Sequence, residues 1–140
     1  MKKILILLLV VLMVASVAYA QKKMKIDTKN LPTLKGTWEG MLNFQINVNC
    51  PAKLEILNDT APVKAKLTVT DIPAQITQML GIQSGTHVME NNEGTLTTQG
   101  TIMWAGPTKN FMEFNLTGDK KGSAWFYYNG ARGDMTLKKK

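Results

Sequence analysis

The sequence predicts an all-β protein, an antiparallel meander of about eight strands closed into a barrel, together with a short helix. Three observations predict this fold: a long run of alternating apolar and polar residues at 37–48, shorter alternating runs downstream, and the pair Asn129-Gly130 between two such runs. Alternation is typical of strands with one buried face, and short connections favour a meander. A two-sheet β-sandwich needs the same alternation and is the alternative.

The first predicted strand is the most regular one. Its even positions hold apolar residues or glycine and its odd positions are mostly polar, which places the even set in a core. The inward set comprises Trp38, Gly40, Leu42, Phe44, Ile46 and Val48. Weaker alternation follows in segments 53–56, 63–70, 87–90, 95–102, 112–116, 122–128 and 131–138.

The last two segments are joined by residues 129–130, whose sequence Asn-Gly is typical of a two-residue type I′ hairpin turn. Such a turn fixes the register: Tyr127 faces Arg132, and Trp125 faces Asp134. Trp125 and Tyr127 then lie on the outside of the sheet beside Arg132. An exposed Trp-Tyr-Arg patch is typical of a surface that binds a partner or a glycan.

A helix is predicted where the alternation stops, over residues 72–80. The apolar residues there follow the spacing i, i+4, i+7, i+8, with a proline near the start and a glycine after the end. They are Ile72, Ile76, Met79 and Leu80. We expect this stripe to cover one end of the barrel.

Residues 1–20 have the pattern of a bacterial export signal. Lys2-Lys3 precedes an unbroken apolar run at 4–15, and Ala18-Tyr19-Ala20 matches the small-x-small cleavage pattern. We expect cleavage between Ala20 and Gln21 and a periplasmic or secreted protein. A membrane anchor is the alternative, but the run is short for a hydrocarbon core of ~30 Å. We therefore expect no integral membrane segment in the mature chain.

The rest of the chain is predicted to hold one domain, with an extended lead-in at residues 21–34 and a β-barrel at residues 35–140. The 140 residues include one His and one Cys. One His excludes a multi-histidine metal site, and one Cys excludes an internal disulfide. We expect no metal and no cofactor. We interpret Cys50 as a small buried hydrophobe, and an intermolecular disulfide or a reactive thiol is the alternative.

Gly36-Thr37-Trp38, which opens the first predicted strand, resembles the first motif of the lipocalins and their wider superfamily of ligand-binding barrels, the calycins. In that family the Trp closes the barrel floor and a basic side chain from near the chain's end packs across it. The resemblance implies that Trp38 and Arg132, the only arginine, form this floor pair. The family's middle motif has no counterpart at residues 108–111. An inward Arg132 conflicts with the hairpin register, and both alternatives stay open.

The predicted function is that of an exported, non-catalytic protein holding a small hydrophobic or amphipathic ligand in a lipocalin-like barrel. The expected lining residues share an inward phase and are Leu42, Phe44, Ile46, Leu67, Thr98, Ile102, Phe114 and Phe126. Gly40, Ala65, Thr98 and Gly100 are small and leave space, unless Trp38, Trp104, Phe114 and Phe126 fill it. The alternative is a cell-envelope interaction module with a solid core that acts through its surface.

Catalysis is not expected. The carboxylates are scattered along the chain, and His87 has no recognisable nucleophile beside it in sequence. Nucleic acid is not an expected partner of an exported protein that lacks interleaved basic and aromatic residues. Lysines are concentrated at residues 22–29 and 138–140. Such charge usually serves solubility, and an anionic envelope surface as partner is the alternative.

Overall fold

The computed structural model describes residues 23–44, 47–82, 85–105 and 110–140. Eight antiparallel strands form one closed barrel in chain order. They are β1 (Gly36–Phe44), β2 (Val48–Ile56), β3 (Val63–Val69), β4 (His87–Leu96), β5 (Ile102–Ala105), β6 (Phe111–Gly118), β7 (Lys121–Tyr128) and β8 (Ala131–Lys139). The predicted meander barrel is confirmed, and the sandwich is excluded because β8 returns to pair with β1.

The core lies inside the barrel and follows the predicted alternation, but the first strand ends at Phe44, and Val48, predicted on the same strand, begins β2. In β1, Trp38, Leu42 and Phe44 are buried, whereas the odd-numbered residues between them point outward and are exposed. β2 and β3 repeat the pattern, with a buried residue at every second position. Each strand therefore contributes one apolar face to the same interior.

The β7–β8 hairpin has the predicted turn and register. Asn129 and Gly130 have φ of 47° and 85°, the left-handed pair that a type I′ turn requires. Tyr127 pairs with Arg132, and Trp125 pairs with Asp134. The prediction is confirmed because the asparagine and glycine tolerate positive φ better than other residues do.

The segment predicted as a strand at 95–102 is instead the end of β4, a tight turn and the start of β5. Gly100 has φ of 79°, and its N–H donates to the Thr97 carbonyl at 3.0 Å. The Thr97 and Thr101 hydroxyls lie 2.7 Å apart across this turn. Threonine is common in strands and also forms side-chain hydrogen bonds in turns. The alternation of Thr with apolar residues therefore predicted a strand where the chain forms a turn.

Helix α1 spans Ala74–Leu80 and ends at Gly81, whose φ of 69° is the usual left-handed cap. Ile76 and Leu80 are buried, but Met79, assigned by the sequence to the same stripe, is exposed. The Asn129 side chain donates from Nδ2 to the Leu80 carbonyl at 2.9 Å. This hydrogen bond ties α1 to the β7–β8 turn, at one end of the barrel.

The opposite end is closed by the segment that precedes β1. Met24 forms a β-bridge with Leu116, and the N–H of Ile26 donates to the Gly100 carbonyl at 2.9 Å. A 3₁₀ helix (Leu31–Leu34) follows, and its two leucines are buried in the core. The predicted lead-in thus supplies part of the core. Among the described residues, no helix combines the length and apolar character needed to cross a membrane.

Candidate functional site: a packed interior and three outer features

Most of the expected ligand-lining residues do lie inside the barrel. Leu42, Phe44, Leu67, Ile102, Phe114 and Phe126 are all buried. Phe44 and Phe126 meet edge to face with their ring centroids 6.1 Å apart. Ile46 lies outside the described residues. The interior side chains therefore contact one another.

Neighbouring side chains occupy the space beside three inward glycines. A Cβ on Gly133 would come within 2.5 Å of the Phe126 ring and 2.6 Å of Leu42 Cδ1, and a Cβ on Gly122 would come within 2.6 Å of the Phe114 ring. A Cβ on Gly94 would clash with the Trp104 indole. An aromatic ring packed over a glycine on the adjacent strand fills the volume that the missing side chain would take.

The small residues that the sequence placed around a cavity are not surrounded by free space. A Cβ on Gly40 would collide with the backbone of Thr136 on β8, and one on Gly100 would collide with Lys25. Thr98 is in the β4–β5 turn, exposed, so it does not line the interior. The prediction that Thr98 points inward is wrong, because β4 ends at Leu96 and the strand alternation does not extend to residue 98.

Trp38 closes the end of the barrel that carries the 3₁₀ helix. Its side chain is buried, and Nε1 donates to the Leu34 carbonyl at 2.8 Å. Its ring meets Phe114 edge to face, with centroids 5.0 Å apart. Trp38 thus joins the 3₁₀ helix to the interior packing.

Arg132 does not pack across Trp38. Its guanidinium carbon lies 4.8 Å from the centroid of the Trp125 ring, and Nη2 is 3.1 Å from Asp134 Oδ1. Trp38 pairs with Lys139, at the other end of β8, about 23 Å away at ~3.3 Å per residue. Lys139 is a basic residue at that end, and its Nζ donates to the Thr33 carbonyl at 2.6 Å. The hairpin register that places Arg132 on the outside is confirmed. The floor pair of Trp38 and Arg132 that the family resemblance implies is not formed.

Phe111, Trp125 and Tyr127 form an outer aromatic patch on β6 and β7. Phe111 stands edge to face against Trp125 at 4.9 Å and stacks with Tyr127 at 5.7 Å. The Trp125 Nε1 donates to Glu113 Oε2 at 3.0 Å, and Arg132 covers one face of its ring. Hydrogen bonding and the cation–π contact hold the indole in place on the outer surface.

A concavity of about 470 Å³ runs along the outer wall beside this patch. We call it the wall groove; its lining includes Lys23, Asn43, Asn49, Asn115, Ser123, Trp125, Asp134 and Thr136. The Asn43 Nδ2 donates to Asn49 Oδ1 at 2.8 Å. Asn115 is buried, and its Oδ1 accepts no hydrogen bond from the part of the chain that the structure describes. The groove thus combines amide and hydroxyl groups with an aromatic ring.

Lysines gather where β7 begins and β8 ends. Lys121 pairs directly with Lys138, and the N–H of Lys139 donates to the Lys120 carbonyl at 3.0 Å. We call Lys120, Lys121, Lys138 and Lys139 the lysine cluster. Lys140, next to it, forms an ion pair with Glu39 at 2.9 Å.

Burial shifts the pKa of two side chains that could take part in catalysis, Cys50 and His87. Desolvation, with a smaller contribution from the Asp71 carboxylate, raises the pKa of Cys50, which is buried in β2. Desolvation lowers the pKa of His87, whose ring lies 5.0 Å from Tyr128. Both shifts favour the neutral side chain. Over residues 23–44, 47–82, 85–105 and 110–140, no group of three or more His, Cys, Asp or Glu is placed to hold a metal ion.

The sequence predicts the Trp125, Tyr127 and Arg132 part of the outer surface, but it predicts neither Phe111 in the aromatic patch nor the other two outer features. The pair of Lys121 and Lys138 could have been predicted, because extending the Asn129-Gly130 register by seven residue pairs places these two lysines opposite each other. The wall groove could not have been predicted, since it joins side chains of β1 and β2 with those of β6, β7 and β8. Only barrel closure brings these strands together.

The fold defines the class of the protein, a closed eight-stranded antiparallel meander barrel with one short α-helix. No protein-family model matches the sequence, and comparisons with curated proteins and with solved structures gave no match. The barrel is compatible with the lipocalin-like fold implied by Gly36-Thr37-Trp38. The assignment to the lipocalins or calycins remains a prediction.

Proposed function

We propose that the protein is an exported, non-catalytic module of the cell envelope that binds an anionic lipid surface through its lysine cluster. The observation that carries this proposal is the direct cross-strand pairing of Lys121 with Lys138. Like charges opposite each other in an antiparallel pair destabilise it. A costly arrangement of this kind is explained if an anionic partner compensates for it.

The surroundings of the pair support the same interpretation. Lys120 and Lys139 lie on the adjoining rung, so four lysines lie at one edge of the barrel. Lys120, Lys121 and Lys138 are exposed. Each basic residue close to an anionic membrane contributes ~1 kcal/mol to binding, so the cluster can hold the protein at such a surface without inserting into it.

Interior packing supports a function of the surface rather than of a cavity. Phe114, Phe126 and Trp104 occupy the space beside the inward glycines, and the smallest barrels are filled by side chains in this way. A ligand-holding barrel remains the second candidate function, favoured by the apolar character of the interior. Titration with a fluorescent fatty acid tests it: a saturable signal that Phe114→Trp alters supports the cavity, and a flat signal in both proteins contradicts it.

Binding to the anionic surface is tested by co-sedimentation of the mature protein with phosphatidylglycerol or phosphatidylcholine vesicles. We expect sedimentation with the first only, weakened by added salt. Replacing both Lys121 and Lys138 with Gln should weaken binding roughly thirtyfold, from ~1 kcal/mol for each lysine.

The matched control is the double variant Lys53→Gln with Lys66→Gln. It changes net charge equally, but these two lysines are paired with Glu55 and Glu90 on the wall of the barrel. We expect a much smaller loss for this control. Equal losses in both double variants, or equal binding to the two kinds of vesicle, would contradict a role for the cluster.

Export is proposed on residues 1–20, which lie outside the described residues. The basic start, the apolar run and Ala18-Tyr19-Ala20 support cleavage after Ala20. N-terminal sequencing of protein recovered from outside the cytoplasm should begin at Gln21. Exported protein that still begins at Met1 would overturn the cleavage site.

A further inference from the structure

We infer that the wall groove is a binding site for a neutral saccharide chain. The first observation is Asn115, which is 5% exposed although it stands on the outward phase of β6. Its Oδ1 is buried and accepts no hydrogen bond from the described residues, and Asn115 is one of the residues that line the groove. One residue of the groove lining therefore has an amide oxygen without a donor in the part of the chain that the structure describes.

An unsatisfied amide of this kind is costly. Burying an amide oxygen without a donor costs ~1–3 kcal/mol, and an orphaned buried group in a native structure calls for a partner. A hydroxyl group is a suitable partner, since it donates to an amide oxygen and accepts from an amide nitrogen. The proposal requires that the Asn115 side chain turns to present its amide to a molecule in the groove.

The other polar residues of the lining have the same character, and they lie beside three apolar residues, Met41, Ala124 and Met135. The Asn43–Asn49 amide pair, Ser123 and Thr136 offer donors and acceptors, as a polyhydroxyl ligand requires. Lys23 and Asp134, the charged members of the lining, have opposite signs, so the groove does not select an ionic ligand. Its charge favours a neutral chain.

Trp125 supplies an apolar surface for such a chain. Glu113 and Arg132 hold its indole in place without a ligand, so little side-chain freedom is lost on binding. Hydroxylated rings have apolar C–H faces as well as polar edges, and the groove offers an aromatic ring next to amides. Its volume of about 470 Å³ is within the range of small-molecule sites.

The test is a titration of the mature protein with neutral tetrasaccharides of glucose and of N-acetylglucosamine, followed by tryptophan fluorescence and amide chemical shifts. Trp38 and Trp104 are buried, so Trp125 is the expected reporter. We expect shifts around Asn115 and Trp125. Asn115→Leu should weaken binding at least tenfold without loss of folding, because it removes the orphaned amide and keeps a similar shape.

Asn92→Leu is the matched control, an exposed amide on β4 outside the groove lining, and we expect unchanged binding. The proposal is overturned if no tetrasaccharide shifts the groove residues, or if Asn115→Leu binds as well as the unchanged protein. Shifts produced by a neutral tetrapeptide but by neither sugar would also overturn it, since the groove would then recognise a peptide.

Discussion

Trp104 and Trp125 occupy opposite faces of the same barrel. Both stand on strands and both donate a hydrogen bond from Nε1, Trp104 to the Val63 carbonyl at 2.8 Å and Trp125 to Glu113 at 3.0 Å. Trp104 is buried over Gly94, whereas Trp125 lies under a guanidinium on the outer wall. The comparison shows that surroundings, not residue type, separate a tryptophan that stabilises the fold from one that is available to a partner.

Trp104→Ala has the largest expected effect and tests the interior half of the comparison. It should lower the free energy of unfolding by ~3–5 kcal/mol, because it leaves a cavity and an unpaired Val63 carbonyl. Urea unfolding measures this change. Trp38→Ala should cost a similar amount, since Trp38 is equally buried. A loss under about 1 kcal/mol in either variant would break the comparison.

Gly133→Ala tests the interior without removing a ring. Its new methyl group would overlap Phe126 and Leu42, so we expect a loss of ~1–3 kcal/mol in urea unfolding. Gly85→Ala is the control, because its Cβ would meet the nearest atom, the Ile72 carbonyl oxygen, at an ordinary 3.4 Å. Equal stability of the two variants would show that the interior has room to spare.

Trp125→Ala tests the outer half. We expect a loss of about 1 kcal/mol or less, because the partly exposed ring contributes the Glu113 hydrogen bond and the Arg132 contact but little core packing. Thermal unfolding of this variant beside Trp104→Ala makes the comparison direct. A loss of several kcal/mol would place Trp125 among the core residues.

Lys121→Gln has the smallest expected effect and the opposite sign. Removing one of two opposed ammonium groups should raise the free energy of unfolding by a few tenths of a kcal/mol at low salt. The gain should vanish in ~1 M salt, where the screening length falls to ~3 Å. Lys53→Gln, which removes the ion pair with Glu55, should show no such gain. A loss of stability in Lys121→Gln would remove the argument from opposed lysines.

The sequence predicts those parts of this fold that depend on local chemistry. Inward residues of β1 alternate as expected, and Asn129-Gly130 sets a register that holds to the far end of β7 and β8. The same register places Arg132 outside. The family resemblance placed it inside, beside Trp38, because a motif of three residues does not determine where the partner side chain lies.

Other features depend on contacts between segments far apart in the chain. Thr98 was given an inward phase because Thr-rich turns and strands have the same alternation. Lys25 occupies the space beside Gly100 because the lead-in packs against the β4–β5 turn. Asn115 is an ordinary polar-phase residue in the sequence, and its burial arises only after the barrel has closed.

Barrel closure also orders the events of folding. β1 pairs with β8, and the N–H of Lys140 donates to the Thr37 carbonyl at 3.0 Å, so residues about a hundred positions apart complete the sheet. The ribosome must release β8 before the sheet can close, and the partial chain has two unpaired edges until then.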